Sequence, residues 1–175
     1  SLPLVDGVEK VTGRGVYGVD VRAAGMLFAR ILRSPCAHAR ILHIDGSEAE
    51  RIPGVHAVIT CNDLPDRRVG LALKDEYVLA RDKVRYIGEA VAAVAAVDLD
   101  TADEALKAIR VEYEEITPVF DAREALREDA PRIHEELAHY QQSSYLTRFI
   151  RPIPDSNVAS HIKLRKGDIA AGFRL

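Results

Sequence analysis

The chain has 175 residues, 47% of them hydrophobic and 29% charged, a globular composition with length for one good core or two small ones. Its 24 basic and 27 acidic residues leave a formal charge of −3. No block of like charge runs beyond a few residues, so the electrostatic footprint of a nucleic-acid binder is absent. The longest apolar run, AVAAVAAV at residues 90–97, falls far short of the roughly 20 residues that span a bilayer, and membrane insertion is not expected.

In chain order, residues 1–25 are glycine-rich and weakly periodic and read as an extended arm with turns; Ser1 in place of methionine points to a start that has been cut away. Residues 26–34, MLFARILRS, are short, apolar and stopped by Pro35, which predicts a strand. Residues 39–45, ARILHID, alternate, with Ile41, His43 and Asp45 on one face and Arg40, Leu42 and Ile44 on the other. Three helix starts follow, each a short oxygen side chain with a glutamate three residues on: Ser47 with Glu50, Thr101 with Glu104, and Asp121 with Glu124. Pro53 and Gly54 stop the first helix. The second carries Ala102, Ala105, Leu106 and Ile109 on one face, and the third an Ala122, Ala125, Leu126 stripe. Strands are expected at 55–60, 83–88, 89–97 and 109–116. The alanine-rich run at 89–97 is given to a strand because Gly88 before it and the helix after Asp98 leave no room for another helix. This irregular alternation predicts an α+β fold, a mixed sheet with a few short packed helices. Residues 138–156, with paired polar residues and two prolines, read as a linker or mobile loop, and 157–175 as the beginning of a further domain cut short.

Several motifs invite chemistry. GRGVYG, with Gly13, Gly15 and Gly18, matches GxGxxG by letter, but the preceding DGVEKVT is polar and no helix start follows, so turn glycines are the preferred reading. Cys36, His38, His43, His56 and Cys61 could be assembled into a zinc site, yet no tight CxxC or HxxxH half is present. Two cysteines cannot staple a chain of this length and fit a reducing cytoplasm. Cys36 activated by His38 is a sharper enzymatic hypothesis, lacking an identifiable third residue to orient the histidine. Glu112, Glu114 and Glu115 read as a solvated strand face.

Taken together, DGVEKVTGRGVYGVDV, GMLFARILRSPCAHARILHID, IPGVHAVITCNDLP, LARDKVRYIGEAVAAVAAVD and ADEALKAIRVEYEEITPVFDAREAL resemble, in order and spacing, the N-terminal α/β-hammerhead domain of the molybdenum hydroxylase large subunit, the xanthine dehydrogenase and aldehyde oxidase family. The resemblance covers about residues 4–136; it divides the chain into a hammerhead domain at 1–137, a linker at 138–156 and the entry to a molybdopterin-binding domain at 157–175. DEYVLARDKVRYIGEAVAAVAAVD with DGVEKVTG is most similar to the branch of 4-hydroxybenzoyl-CoA reductase. Two departures stand out: the family commonly has histidine where Cys36 stands and often proline where Ala90 stands.

The resemblance implies a molybdenum-dependent oxidoreductase acting on an aldehyde, an N-heterocycle or an aromatic acyl-CoA. It further implies molybdopterin in the intact subunit and iron–sulfur clusters and, as is usual in the family, FAD on partner domains or subunits. An oligomeric, cytoplasmic assembly is expected. No residue of this chain matches the family's pterin-binding loops or catalytic glutamate, so the piece is expected to hold no cofactor and to be inactive alone. Arg33, Pro35, His38 and Arg40, within RSPCAHARI, are expected to form a rigid bend whose charged groups pair with neighbouring domains, since guanidinium forks suit interface carboxylates. A stand-alone scaffold or binding module using the same fold is the alternative.

Overall fold

The computed structural model describes residues 4–142, 151–163 and 166–174. In chain order its elements are α1 (Gly7–Val11), β1 (Phe28–Arg33), β2 (Ala39–Asp45), α2 (Ser47–Glu50), β3 (Val55–Ile59), β4 (Lys83–Val84), β5 (Ala90–Ala96), α3 (Leu99–Ala108), β6 (Arg110–Glu115), α4 (Ala122–Ala125) and α5 (Ile169–Gly172). The expected α+β class holds, and the sheet is resolved into two of three strands each, ordered β1-β5-β3 and β4-β2-β6. Every pairing within them is antiparallel.

The alanine-rich run is a strand, and its composition explains the packing. On β5, Ala92, Val94 and Ala96 face Ala102 and Ala105 of α3 and Ala49 of α2, all essentially inaccessible to solvent. Small side chains on both faces let the helix lie close to the sheet, so this core is dense but intolerant of added volume. Val91, one residue out of phase, turns to a second core with Ala39, Ala80 and Val84. Ile44 and Val111 pack against both cores and join the two sheets.

Local chemistry shifts several boundaries. The first expected helix, at Ser47, is α2, and Ser47 does not cap it: the N-cap is Gly46, without a side chain to accept, and Asp45 just ahead accepts from the Ser47 amide through Oδ1 at 2.9 Å. The second is capped by Asp98, which accepts from the Thr101 amide at 2.7 Å, so it starts at Leu99 rather than after Thr101. In both places two short oxygen side chains compete, and the carboxylate wins because its charge also complements the helix N-terminus. Asp121 caps α4 as expected, accepting from the amides of Arg123 and Glu124. The stripe on α4 is mostly uncovered among the described residues: Ala125 is half-buried, but Ala122 is exposed and Leu126 is 66% exposed.

The strict alternation expected on β2 fails, because the register shifts between Ile41 and His43. That irregularity brings Ile41 and Ile44 to the same core and leaves Leu42 outward. The strand expected at 83–88 is only Lys83–Val84; beyond it the chain turns, with Gly88 at φ 92° and the Glu89 amide donating to the Tyr86 carbonyl. The arm at 1–25 contains one short helix, α1, where only turns were expected. Of the linker expected at 138–156, residues 143–150 lie outside the described residues, while Tyr140 is buried with Leu73 and Leu137 in a small third cluster.

Candidate functional site

The bend between β1 and β2 is where the chain crosses from one sheet to the other, and it is pinned from both sides. The Ser34 amide donates to the Glu89 carbonyl at 2.9 Å and its carbonyl accepts from the Gly88 amide at 2.8 Å. Its hydroxyl accepts from the Cys36 amide and donates to the Cys36 carbonyl, each at 3.0 Å, closing a tight loop around Pro35. Four residues on, His38 is 3% exposed, with Nδ1 3.0 Å from the Thr117 carbonyl. A carbonyl can only accept, so Nδ1 carries a proton and donates it; among the described residues Nε2 is buried with no hydrogen-bond partner. The Ile116 amide donates to the His38 carbonyl at 2.9 Å, so the imidazole and its backbone lock the bend onto the end of β6.

The other three singled-out residues lie on the outside of this frame. Arg33 is exposed and donates from Nη1 to the Gly88 carbonyl at 2.8 Å. Pro35 is exposed at the crest. Arg40 reaches Glu114, directly opposite on β6, at 2.6 Å, both side chains more than half exposed. The structure thus brings all four residues onto one bend, with His38 as its buried pin and the two arginines outward.

Catalytic readings of the same stretch find no support. Burial pushes the Cys36 thiol above its ordinary value and the nearby Glu115 carboxylate pushes it further, the reverse of what a nucleophile needs. The His38 proton is committed to a carbonyl. Among the described residues, no three His, Cys, Asp or Glu side chains gather so as to hold a metal ion. The set Cys36, His38, His43, His56 and Cys61 is therefore not brought together. Gly13, Gly15 and Gly18 follow a helix rather than a strand and lead into a single 3-10 turn, Gly18–Asp20, without the strand–helix frame a dinucleotide needs. Glu112, Glu114 and Glu115 are exposed.

Sequence reasoning missed two features. Glu89 is 7% exposed, lies beside the bend and accepts a short hydrogen bond from the Arg85 amide; burial raises its pKa, against the pull of that amide and of the Arg85 guanidinium. The second is a charged cleft of about 300 Å³ lined by Arg68, Lys83, Arg85, Glu135, Glu136 and Tyr140 among others. Buried Lys83 donates to Glu135 at 2.6 Å, Arg68 donates to Glu136 at 2.9 Å, and the Arg68 guanidinium lies 4.9 Å from the Tyr77 ring centre and 4.6 Å from that of Tyr140. A lone glutamate after glycine and pairs 52 and 68 residues apart leave no local pattern to find.

Residues 12–117 match the profile of the aldehyde oxidase and xanthine dehydrogenase a/b hammerhead domain. The chain is 39% identical over 171 residues to the nicotinate dehydrogenase large molybdopterin subunit of Eubacterium barkeri, an overlap taking in 97% of this chain and 36% of that protein. It is 41% identical over 132 residues to the carbon monoxide dehydrogenase large chain of Hydrogenophaga pseudoflava, covering 73% of this chain and 16% of that one. The solved aldehyde oxidoreductase of Desulfovibrio gigas superposes with a TM-score of 0.69 at 33% identity, over 75% of this chain and 16% of the other. The chain spans about a third or less of the length of these relatives. With the profile, the sequences and the two-sheet fold agreeing, the chain belongs to the aldehyde oxidase and xanthine dehydrogenase family and carries its a/b hammerhead domain.

Proposed function

We propose that this polypeptide is the hammerhead part of the large, molybdenum-binding subunit of a hydroxylase-type oxidoreductase, and that it works as a support rather than as a reaction centre. The observation that carries this reading is the bend itself. Ser34 and His38 fix its backbone from inside, while Arg33, Pro35 and Arg40 stay outside on a rigid mount. Such a mount presents preorganised guanidinium groups to carboxylates of a neighbouring domain.

The intact protein would draw its substrate from aldehydes, N-heterocycles or aromatic acyl-CoA compounds and pass electrons to iron–sulfur and flavin partners within an oligomeric cytoplasmic assembly. Among the described residues no three His, Cys, Asp or Glu side chains gather to hold a metal ion, and no chemical step is assigned to them. In this reading residues 1–137 are the hammerhead domain, 138–156 connect it onward, with Tyr140 still packed on the body, and 157–175 open the molybdopterin-binding domain.

Two measurements test the reading. Metal analysis and visible absorption should find molybdenum and an iron–sulfur spectrum in the intact assembly, and neither with this polypeptide alone. In the intact subunit, Arg33→Ala with Arg40→Ala should lower thermal stability or assembly more than the same pair lowers the stability of the 175-residue chain. Equal effects in the two settings, or lost turnover with unchanged stability, would overturn the supporting role. A gene that ends soon after Leu175 would favour a free-standing binding module.

A further inference from the structure

Between residues 4 and 25 not one residue is buried, although the stretch is rich in large apolar side chains. Three of them line up along α1 and the residues just ahead of it: Leu4, three residues before the helix, and Val8 and Val11 within it, spaced by four and three, are 78%, 64% and 86% exposed. The opposite side is polar, with Lys10 2.6 Å from Asp6, and at the helix end the Thr12 hydroxyl donates to the Val8 carbonyl at 2.6 Å. Five residues of helix do not persist in water on their own hydrogen bonds, because nucleation is unfavourable and packing of an amphipathic face supplies most helix stability. Among the described residues the hammerhead body does not supply that packing.

The likeness to the nicotinate dehydrogenase large subunit takes in 97% of this chain, so it extends well beyond the hammerhead profile at residues 12–117 and reaches the arm. The same overlap is only 36% of that protein, which leaves a long polypeptide to provide a surface. We propose that the arm is a docking strap whose Leu4, Val8 and Val11 stripe seats in an apolar groove on the part of the large subunit that follows the hammerhead domain. This rests on the reading of the chain as a piece of that subunit.

The test uses the intact large subunit and trypsin, for which Lys10, Arg14 and Arg22 are three sites inside the arm. The wild-type subunit should resist cleavage there. Val8→Asp with Val11→Asp should raise cleavage at Lys10 and Arg14 by on the order of tenfold or more, because proteolysis follows the population of the undocked arm. Cuts elsewhere and molybdenum content should not change, since neither valine contributes to a core. Wild-type cleavage as fast as in the variant overturns the strap, and so does protection that arises only when other subunits are bound, which would put the arm at a subunit interface. A molybdenum-bearing subunit with an open arm sinks the strap alone, whereas a parent without molybdenum sinks the reading beneath it.

Discussion

At the scale of single residues, exposure decides how much each member of the bend contributes. His38 is enclosed and joined to the Thr117 carbonyl. Replacing it with alanine removes that bond and opens a cavity where the ring was enclosed, at a cost of about 2–4 kcal/mol. Arg40 and Glu114 face water, where such a pair contributes about 0–1 kcal/mol. In the 175-residue chain, then, His38→Ala should lower the urea midpoint clearly and Arg40→Ala barely. Equal shifts would mean that the imidazole holds the bend no more firmly than the exposed ion pair does. Cys36 gives a second check. With its pKa raised by burial and by Glu115, it should alkylate more slowly than an unhindered thiol at neutral pH. Fast alkylation would reopen the nucleophile reading.

Elements in this fold are set by packing against alanine. Ala102 of α3 has no exposed surface and faces β5 across small side chains, so Ala102→Leu should cost about 1–3 kcal/mol through overpacking, read as a lower unfolding midpoint. The cap on α3 gives a contrast of direction: Asp98→Ala should lower the midpoint, while Asp98→Asn, which keeps an accepting oxygen, should lower it less. These cases also show what could be read from the chain. The strands at 39–45 and 55–59 follow from short apolar runs bounded by turn residues, and the cap at Asp121 from a single unambiguous oxygen side chain. Where Asp45 competes with Ser47, and Asp98 with Thr101, local pattern cannot rank the two, because the choice depends on where the preceding strand releases the chain. The irregularity at Ile41 is equally silent, since it answers to the partner strand β6. For the site, Pro35 and the flanking arginines marked a rigid bend, but Ser34 and Glu89, which fix it, come from segments that meet only after folding.

Across the whole molecule, residues 133–140 act as a clasp that returns to the body far from its own place in the chain. Glu135 takes Lys83, Glu136 takes Arg68, and the Tyr140 ring lies under that guanidinium. His134 closes the clasp from within, its Nδ1 3.1 Å from the Tyr140 hydroxyl and the two rings edge to face. Burial holds the His134 pKa below its ordinary value; Arg85, Lys83 and Arg68 press it the same way, and Asp75 opposes them. The folded chain therefore prefers neutral His134 while the unfolded chain takes up a proton at about pH 6.5. Its contribution to stability is whole above that value and declines as pH falls below it toward the depressed folded value. Glu89, raised by burial, has the opposite slope: its contribution is whole below the ordinary glutamate range and is lost as pH rises through the folded value. Replacing His134 with glutamine, which can still hydrogen-bond to the Tyr140 hydroxyl but does not titrate, should shrink the loss of thermal stability between about pH 7.5 and about pH 5.5. Glu89 would then be free to tilt the profile toward greater stability at the acid end. An unchanged slope in His134→Gln would show that acid does not loosen the clasp through this imidazole.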